Sequence, residues 1–461
     1  MHENGRVRSV TAVDERIQTT LHAVHGLTLL RGIFDDPVGD AVLHLLNLLV
    51  TSEPEATKIA RAYSQAFNEL AMAAQNEEMA VLSDAWQMYL VSRLLDHDNP
   101  WSRLVERYGM TRVPAVLRQQ AERDLRVLQS LFQITAETFL RQVQEKVSAS
   151  LPVLQDAWVP WRNLGIGAET GGDSPRIVLM QHIEECDDWA TLVEPLERYW
   201  ARHGAGSLAR YRVLRWLGAN EGLQGIAHPD PIQLASLIGY GREQERLKAN
   251  TERFLAGLPA HDTLLYGPPG TGKSSTVKAL VNAYADQGLR LVEVRKEYLG
   301  DLPQIVSQLR DRAPRFLLFI DDLSFEEHEI EYKVLKMLLE GTAEARPANV
   351  LVYATTNRMN LVREYFTDRG KPTEDVNWRD TMEEKQSLAH RFGLRVTFMS
   401  PDQERYLNIA LGLARQRGIA LSEETVRERA LQWERQHIGR SGRVARQFVD
   451  ELEAELKREH V

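Results

Sequence analysis

The run LLYGPPGTGKSST, residues 264–276, decides how this chain is read. An apolar stretch leads into three glycines and two prolines, and then into a lysine and two serines. Gly267, Gly272, Lys273 and Ser274 satisfy the spacing G-x-x-x-x-G-K-[ST], a pattern that by itself arises by chance in many proteins. Context makes it specific. The residues before it form a strand-like run, and SSTVKALVNAYA after it carries helical spacing. In a strand–loop–helix setting, main-chain N–H groups and the positive end of the helix converge on a bound anion. Gly267, Pro268, Pro269, Gly270, Thr271 and Gly272 would form that cradle, with Lys273, Ser274 and Ser275 opening the helix. Lys273 would reach the β- and γ-phosphates, and Ser274 would hold Mg²⁺.

A second signal agrees. FLLFIDD, residues 316–322, ends an apolar strand in two carboxylates. Asp321 is suited to the Mg²⁺ shell and Asp322 to orienting the attacking water. Glu326 and Glu327 are alternative bases, although acids also suit the start of a helix.

Around this loop the chain alternates strand-length apolar runs with helical patterns, at 263–267, 289–294, 316–322, 349–357 and 394–400. Continuous apolar runs fit strands covered on both faces, and the alternation predicts a parallel α/β sheet. After Pro401 the strands stop, and three helical segments follow near 402–416, 422–436 and 441–457. Before HPDPIQ, 228–233, the texture is different. Residues 55–75 and 113–147 carry apolar residues at spacings of three and four, which predicts helices. Breaks fall at DHDNPW, 96–101, and at GIGAETGGDSPR, 165–176. The reading is therefore a mostly helical N-terminal domain over 1–230, an α/β core over 231–400 and a helical lid over 401–461.

Composition sets limits. With 461 residues, 43% hydrophobic and 26% charged, the chain is an ordinary globular protein of several domains. A net charge of −9 disfavours coating of nucleic acid by charge alone. One cysteine, Cys186, excludes an internal disulfide and fits a reducing, cytoplasmic setting. The greasiest stretch, AVLHLLNLLV at 41–50, is too short to span a bilayer and reads as a buried helix. HIEECDDW, around Cys186, reads as solvated acidic surface rather than a metal site. Five of the nine tryptophans lie between 101 and 200, where they are expected to fill a core.

The succession GPPGTGKS, FLLFIDD, VYATTN, LAHRFGL and SGRVARQFVDEL resembles the AAA+ class of P-loop ATPases over about residues 230–461. More narrowly, residues 250–294 resemble the bacterial family named domain of unknown function 815. The resemblance implies a sheet of five parallel strands in the order 5-1-4-3-2, with ATP at the strands' carboxyl ends. It makes 267–274 a Walker A loop and Asp321–Asp322 a Walker B pair, with Asp where many relatives carry Glu. It makes Asn357 sensor 1 and Arg391 an arginine finger supplied to a neighbouring subunit. Arg443 falls at sensor 2, with Arg446 one turn later competing for the role. Ile238 and Gly239, in LIGYGREQ, fall in the segment that packs against adenine. A finger supplied in trans implies a homo-oligomer, most often a ring of six.

Two stretches stay open. Tyr298-Leu299-Gly300 matches the aromatic–apolar–glycine pore loop of protein-threading machines, or it is a turn with Asp301 capping the helix that follows. The long charged stretch at 358–390 contacts a partner or is a solvated insertion. Three functions compete. The first is an oligomeric ATPase that remodels a protein partner through its N-terminal domain. The second is a nucleic-acid-coupled ATPase of helicase-loader or initiator type. It is disfavoured by the acidic balance and by the lack of a segment after the lid for a DNA-binding module. The third is a slow nucleotide-gated switch, motivated by Asp322. A small-molecule kinase explains neither Arg391 nor Arg443.

Overall fold

The computed structural model describes residues 15–51, 54–75, 81–148, 150–154, 157–165, 174–325, 331–340, 346–358, 388–437 and 439–459. It divides into two compact units, Met1–Arg210 and Tyr211–Val461. The division precedes the boundary at 230 read from texture, because residues 213–225 pair onto the second unit's sheet.

The described part of the first unit is helical. Asp36 caps Pro37–Val50 by accepting from the Gly39 N–H at 2.9 Å, which satisfies a main-chain donor that the first turn leaves unpaired. This helix buries Val42, Leu45, Leu46 and Leu49 on one face and exposes His44 and Asn47 on the other. The 113–147 stretch forms two helices, Ala115–Phe132 and Ala136–Val147. The buried Asp84 carboxylate accepts from Ala136 N at 2.7 Å and from Trp86 N at 3.0 Å, joining two segments. Of the five tryptophans expected in a core, Trp101, Trp161, Trp189 and Trp200 are fully buried and Trp158 is partly buried against it; Trp86 is fully buried with them. Four of the fully buried indole N–H groups find acceptors inside it, as Trp101 does at Glu197 and Trp200 at the Leu95 carbonyl, whereas that of Trp161 has none among the described residues.

The second unit is built on a seven-stranded sheet. Its strands are β1 (Val213–Trp216), β2 (Leu223–Gly225), β3 (Thr263–Tyr266), β4 (Leu289–Glu293), β5 (Arg315–Ile320), β6 (Val350–Thr356) and β7 (Leu394–Thr397). The spatial order is β2-β1-β4-β5-β6-β3-β7. From β7 to β4 every pair is parallel. These are the five expected strands, in the 5-1-4-3-2 order that the resemblance implies. The hairpin β1–β2 extends the β4 edge and corrects the count from five to seven. The main helices are α1 (Gly241–Leu255), α2 (Lys273–Tyr284), α3 (Leu302–Leu309), α4 (Glu331–Glu340), α5 (Gln403–Gln416), α6 (Glu423–Gln436) and α7 (Gly442–Glu459). The last three form the lid. All seven residues of β6 are buried, as a central strand covered on both faces requires.

The hairpin also settles what surrounds Tyr298. Residues Lys296–Asp301 form a 3-10 turn in which Leu299 is fully buried and Tyr298 packs on Gly218. Asp301 does not cap α3 with its side chain; its Oδ2 accepts from the Trp216 indole at 2.8 Å instead. Pro303 lies in the first turn of α3 as expected. Glu326, Glu327 and most of the 358–390 stretch lie outside the described residues.

Candidate active site

The loop between β3 and α2 takes its shape from glycine. Gly270 and Gly272 have φ of 79° and 91°, a backbone region that side chains disfavour. Gly267 is demanded by space. A Cβ there would lie 2.1 Å from the Phe398 carbonyl oxygen, in the chain that pairs back onto Tyr266 at 2.7 Å. Gly267→Ala is therefore expected to cost about 2–4 kcal/mol of local stability through forced backbone movement. Amide exchange across β3 in the full chain measures this loss.

Lys273 is 6% exposed and turns its ammonium into the loop. Nζ donates to the carbonyls of Gly267 at 2.6 Å and Pro268 at 2.9 Å, and to Oδ1 of Asn357 at 2.8 Å. Burial holds its pKa below the usual lysine value, while the charges of Asp321 and Asp322 pull the other way. Ser274 Oγ donates to Asp321 Oδ1 at 2.6 Å. Asn357 Nδ2 donates to Asp322 Oδ1 at 2.8 Å. The asparagine amide thus bridges the loop lysine and the second strand-end carboxylate. Asp322 itself sits at φ 52°, which aspartate tolerates better than most residues.

A cavity of about 470 Å³ opens over this cluster. Pro269 through Ser275, Asp321, Asp322 and Asn357 line it on the phosphate-loop side. Ile238, Tyr240, Ile409 and Leu413 supply an apolar wall. Gly239 has φ 94° and fits closely against Ile409 of α5, while Gly412 of α5 fits against Ile238. The lid closes the other side. Arg443 N donates to the Gly270 carbonyl at 3.2 Å, and the side chains of Arg443 and Arg446 both line the cavity from one face of α7. Arg391 does not line it. Its Nη2 lies 2.8 Å from Oε1 of Glu340 at the end of α4, and the side chain is 46% exposed.

Sequence reasoning missed several lining residues. Gln244 donates to the Leu237 carbonyl at 2.6 Å and fixes the segment before α1. Tyr240 carries a phenol pushed up to about 12 by burial. Thr355 is 2% exposed and contacts both strand-end aspartates. No local signal marks Thr355, since a threonine in a strand is ordinary and its role depends on the register of β5 against β6.

The hydroxyl of Ser274 and the carboxylate of Asp321 offer hard oxygen donors facing the cavity, a set that suits magnesium shared with phosphate. Among the described residues no group of three or more His, Cys, Asp or Glu converges on one point. No described helix is long and apolar enough to cross a membrane.

The family described as "Protein of unknown function (DUF815)" matches residues 209–456. The 26S proteasome regulatory subunit 6B homolog of Schizosaccharomyces pombe is 28% identical over 203 residues, covering 36% of this chain and 52% of that protein. The proteasome-activating nucleotidase of Methanocella arvoryzae is 26% identical over 166 residues, covering 31% of this chain and 40% of that protein. The chain thus spans about half the length of the first relative and less of the second. Among solved structures, the RuvB Holliday junction branch migration motor of Thermotoga maritima overlays with a TM-score of 0.34 at 18% identity, covering 50% of this chain and 67% of that one.

Proposed function

The chain belongs to the DUF815 family, and we propose that it is an AAA+ P-loop protein that binds and hydrolyses ATP as a homo-oligomeric ring and remodels a protein partner through residues 1–210. The observation that carries this reading is convergence: Lys273, Ser274, Asp321, Asp322, Asn357 and Arg443 line one cavity beside a glycine-shaped loop. ATP is the substrate that matches such a cavity, with phosphates on the loop and the base against Ile238, Tyr240 and Ile409. The curated relatives named as proteasome subunits and as a nucleotidase support the ATPase reading and point towards a protein substrate.

The residues divide the work. Lys273 exchanges its carbonyl partners for phosphate oxygens. Ser274 and Asp321 would hold magnesium, whose charge would offset that of the phosphates. Asp322 orients the attacking water, and Asn357 holds the Asp322 carboxylate by its amide. Arg443, with Arg446 beside it, contacts phosphate from the lid. Arg391 lies outside its own cavity, which supports a role at a neighbour's γ-phosphate.

Asp322→Asn keeps the shape and removes the basic carboxylate. It is expected to lower phosphate release by at least about 100-fold while ATP still binds, since positioned acid–base groups contribute roughly 10²–10⁴-fold. Chelation by EDTA is expected to stop turnover in the wild type. Wild-type rates in either case would defeat the reading. A slow switch is the second reading, favoured by Asp322 being engaged by Asn357. Single-turnover hydrolysis in the assembled protein separates switch from motor.

A further inference from the structure

The hydroxyl of Thr355 is engaged twice. Oγ1 donates to Asp321 Oδ1 at 2.5 Å and accepts from the Asp322 N–H at 2.9 Å. The Thr355 carbonyl accepts from Leu323 N at 2.7 Å. The residue is 2% exposed, so the hydroxyl has little water to replace these partners. One oxygen therefore ties together both carboxylate-bearing residues at the end of β5, from the neighbouring strand β6. It also holds the N–H of a residue whose φ of 52° falls in the small left-handed range that few residues other than glycine adopt.

We propose that Thr355 is a positioning residue for the Asp321–Asp322 pair. Its hydroxyl, rather than its bulk, sets where the two carboxylates stand relative to Ser274 and Asn357. Donation to Asp321 falls on the oxygen that also accepts from Ser274, and acceptance from Asp322 N keeps the chain turned so that Oδ1 of Asp322 reaches Asn357. A methyl in place of the hydroxyl leaves the main-chain N–H without its acceptor and the carboxylate short of one donor. Both aspartates then relax away from the geometry that Ser274 and Asn357 require. This assignment rests on the ATP-hydrolysing reading of the same cavity for its kinetic consequence, but not for its structural one.

The test compares Thr355→Val and Thr355→Ser in the full chain. Without nucleotide, amide exchange at Asp322 is expected to speed up at least about tenfold in the valine variant and to stay within about threefold of the wild type in the serine variant, because the loss of a hydrogen bond opens the amide locally. With ATP and magnesium, kcat is expected to fall at least about tenfold in the valine variant while ATP affinity measured in EDTA moves less than about threefold, and serine is expected to restore kcat. Serine keeps the hydroxyl and lacks the methyl, so it can be judged even where valine fails to fold. A serine variant that loses exchange protection and turnover overturns the assignment, as does a folded valine variant that matches the wild type in both. A wild type that hydrolyses no ATP defeats the broader reading of the cavity, and the exchange measurement then decides the assignment alone.

Discussion

Lys273→Ala is expected to weaken ATP binding by at least about 100-fold, on the order of 2.7 kcal/mol. The side chain is buried with its ammonium already held by two loop carbonyls and Asn357, at 2.6 to 2.9 Å. Burial penalises that charge, as its lowered pKa shows. A desolvated cation gains more from a phosphate than a solvated one, because little water must be shed on binding. Hydrogen bonds to charged groups contribute roughly 1.5–3 kcal/mol each, so losing contacts to two phosphates reaches the stated loss without help from other residues. Titration calorimetry with ATP measures it, with unfolding midpoints recorded alongside to separate weak binding from a damaged loop. An alanine variant that binds within about threefold of the wild type would remove Lys273 from the site. Arginine is expected to fail as a substitute, since its planar fork does not fit the space of a single ammonium.

Arg391→Ala carries the second large effect. Its kcat is expected to fall by about 10³ or more, the range of an arginine that stabilises charge on a transferring phosphoryl group, while ATP affinity stays within about threefold. The arginine pairs with Glu340 of its own chain, but that pair is 46% and 31% exposed. An ion pair so open to solvent contributes at most about 1 kcal/mol, so releasing the guanidinium to a neighbour is cheap compared with what it gains there. Mixing supplies the sharper measurement. Lys273→Ala subunits carry an intact Arg391, and Arg391→Ala subunits carry an intact loop. Equal mixtures are expected to hydrolyse at least about tenfold faster than either variant alone, because some sites then receive both groups. A mixture no faster than its parts, or an Arg391→Ala variant at the wild-type rate, would mean that each protomer works by itself.

Much of this could be read before any coordinates. The phosphate loop was legible because glycine and proline punctuate an apolar strand and a helix in fixed order. The five central strands were legible because strands covered on both faces read as unbroken apolar runs. The hairpin β1–β2 was not. Its strands are four and three residues long, and RVLRWLGANEGLQG has too few residues for a period to emerge. That miss displaced the domain boundary from 210 to 230. It also hid why Asp301 leaves α3 uncapped, since the competing donor, the Trp216 indole, comes from the hairpin. Local reasoning favours the cap, and tertiary contact overrides it. Thr355 was hidden for another reason. A threonine in a strand is ordinary, and only the register of β5 against β6 brings its hydroxyl to the two aspartates.

The contacts of the lid have a mechanical consequence. Helix α7 grips the phosphate loop at Gly270, and α5 meshes with Ile238 and Gly239 at the opposite wall. Both helices share one packed bundle through Tyr406, Ala410, Ala445 and Phe448. The bundle is therefore a single jaw with two teeth, one resting on the loop at Gly270 and one on the apolar wall at Ile238. On the proposed reading of the cavity, any tilt of that jaw would change the bite at both ends of a nucleotide together.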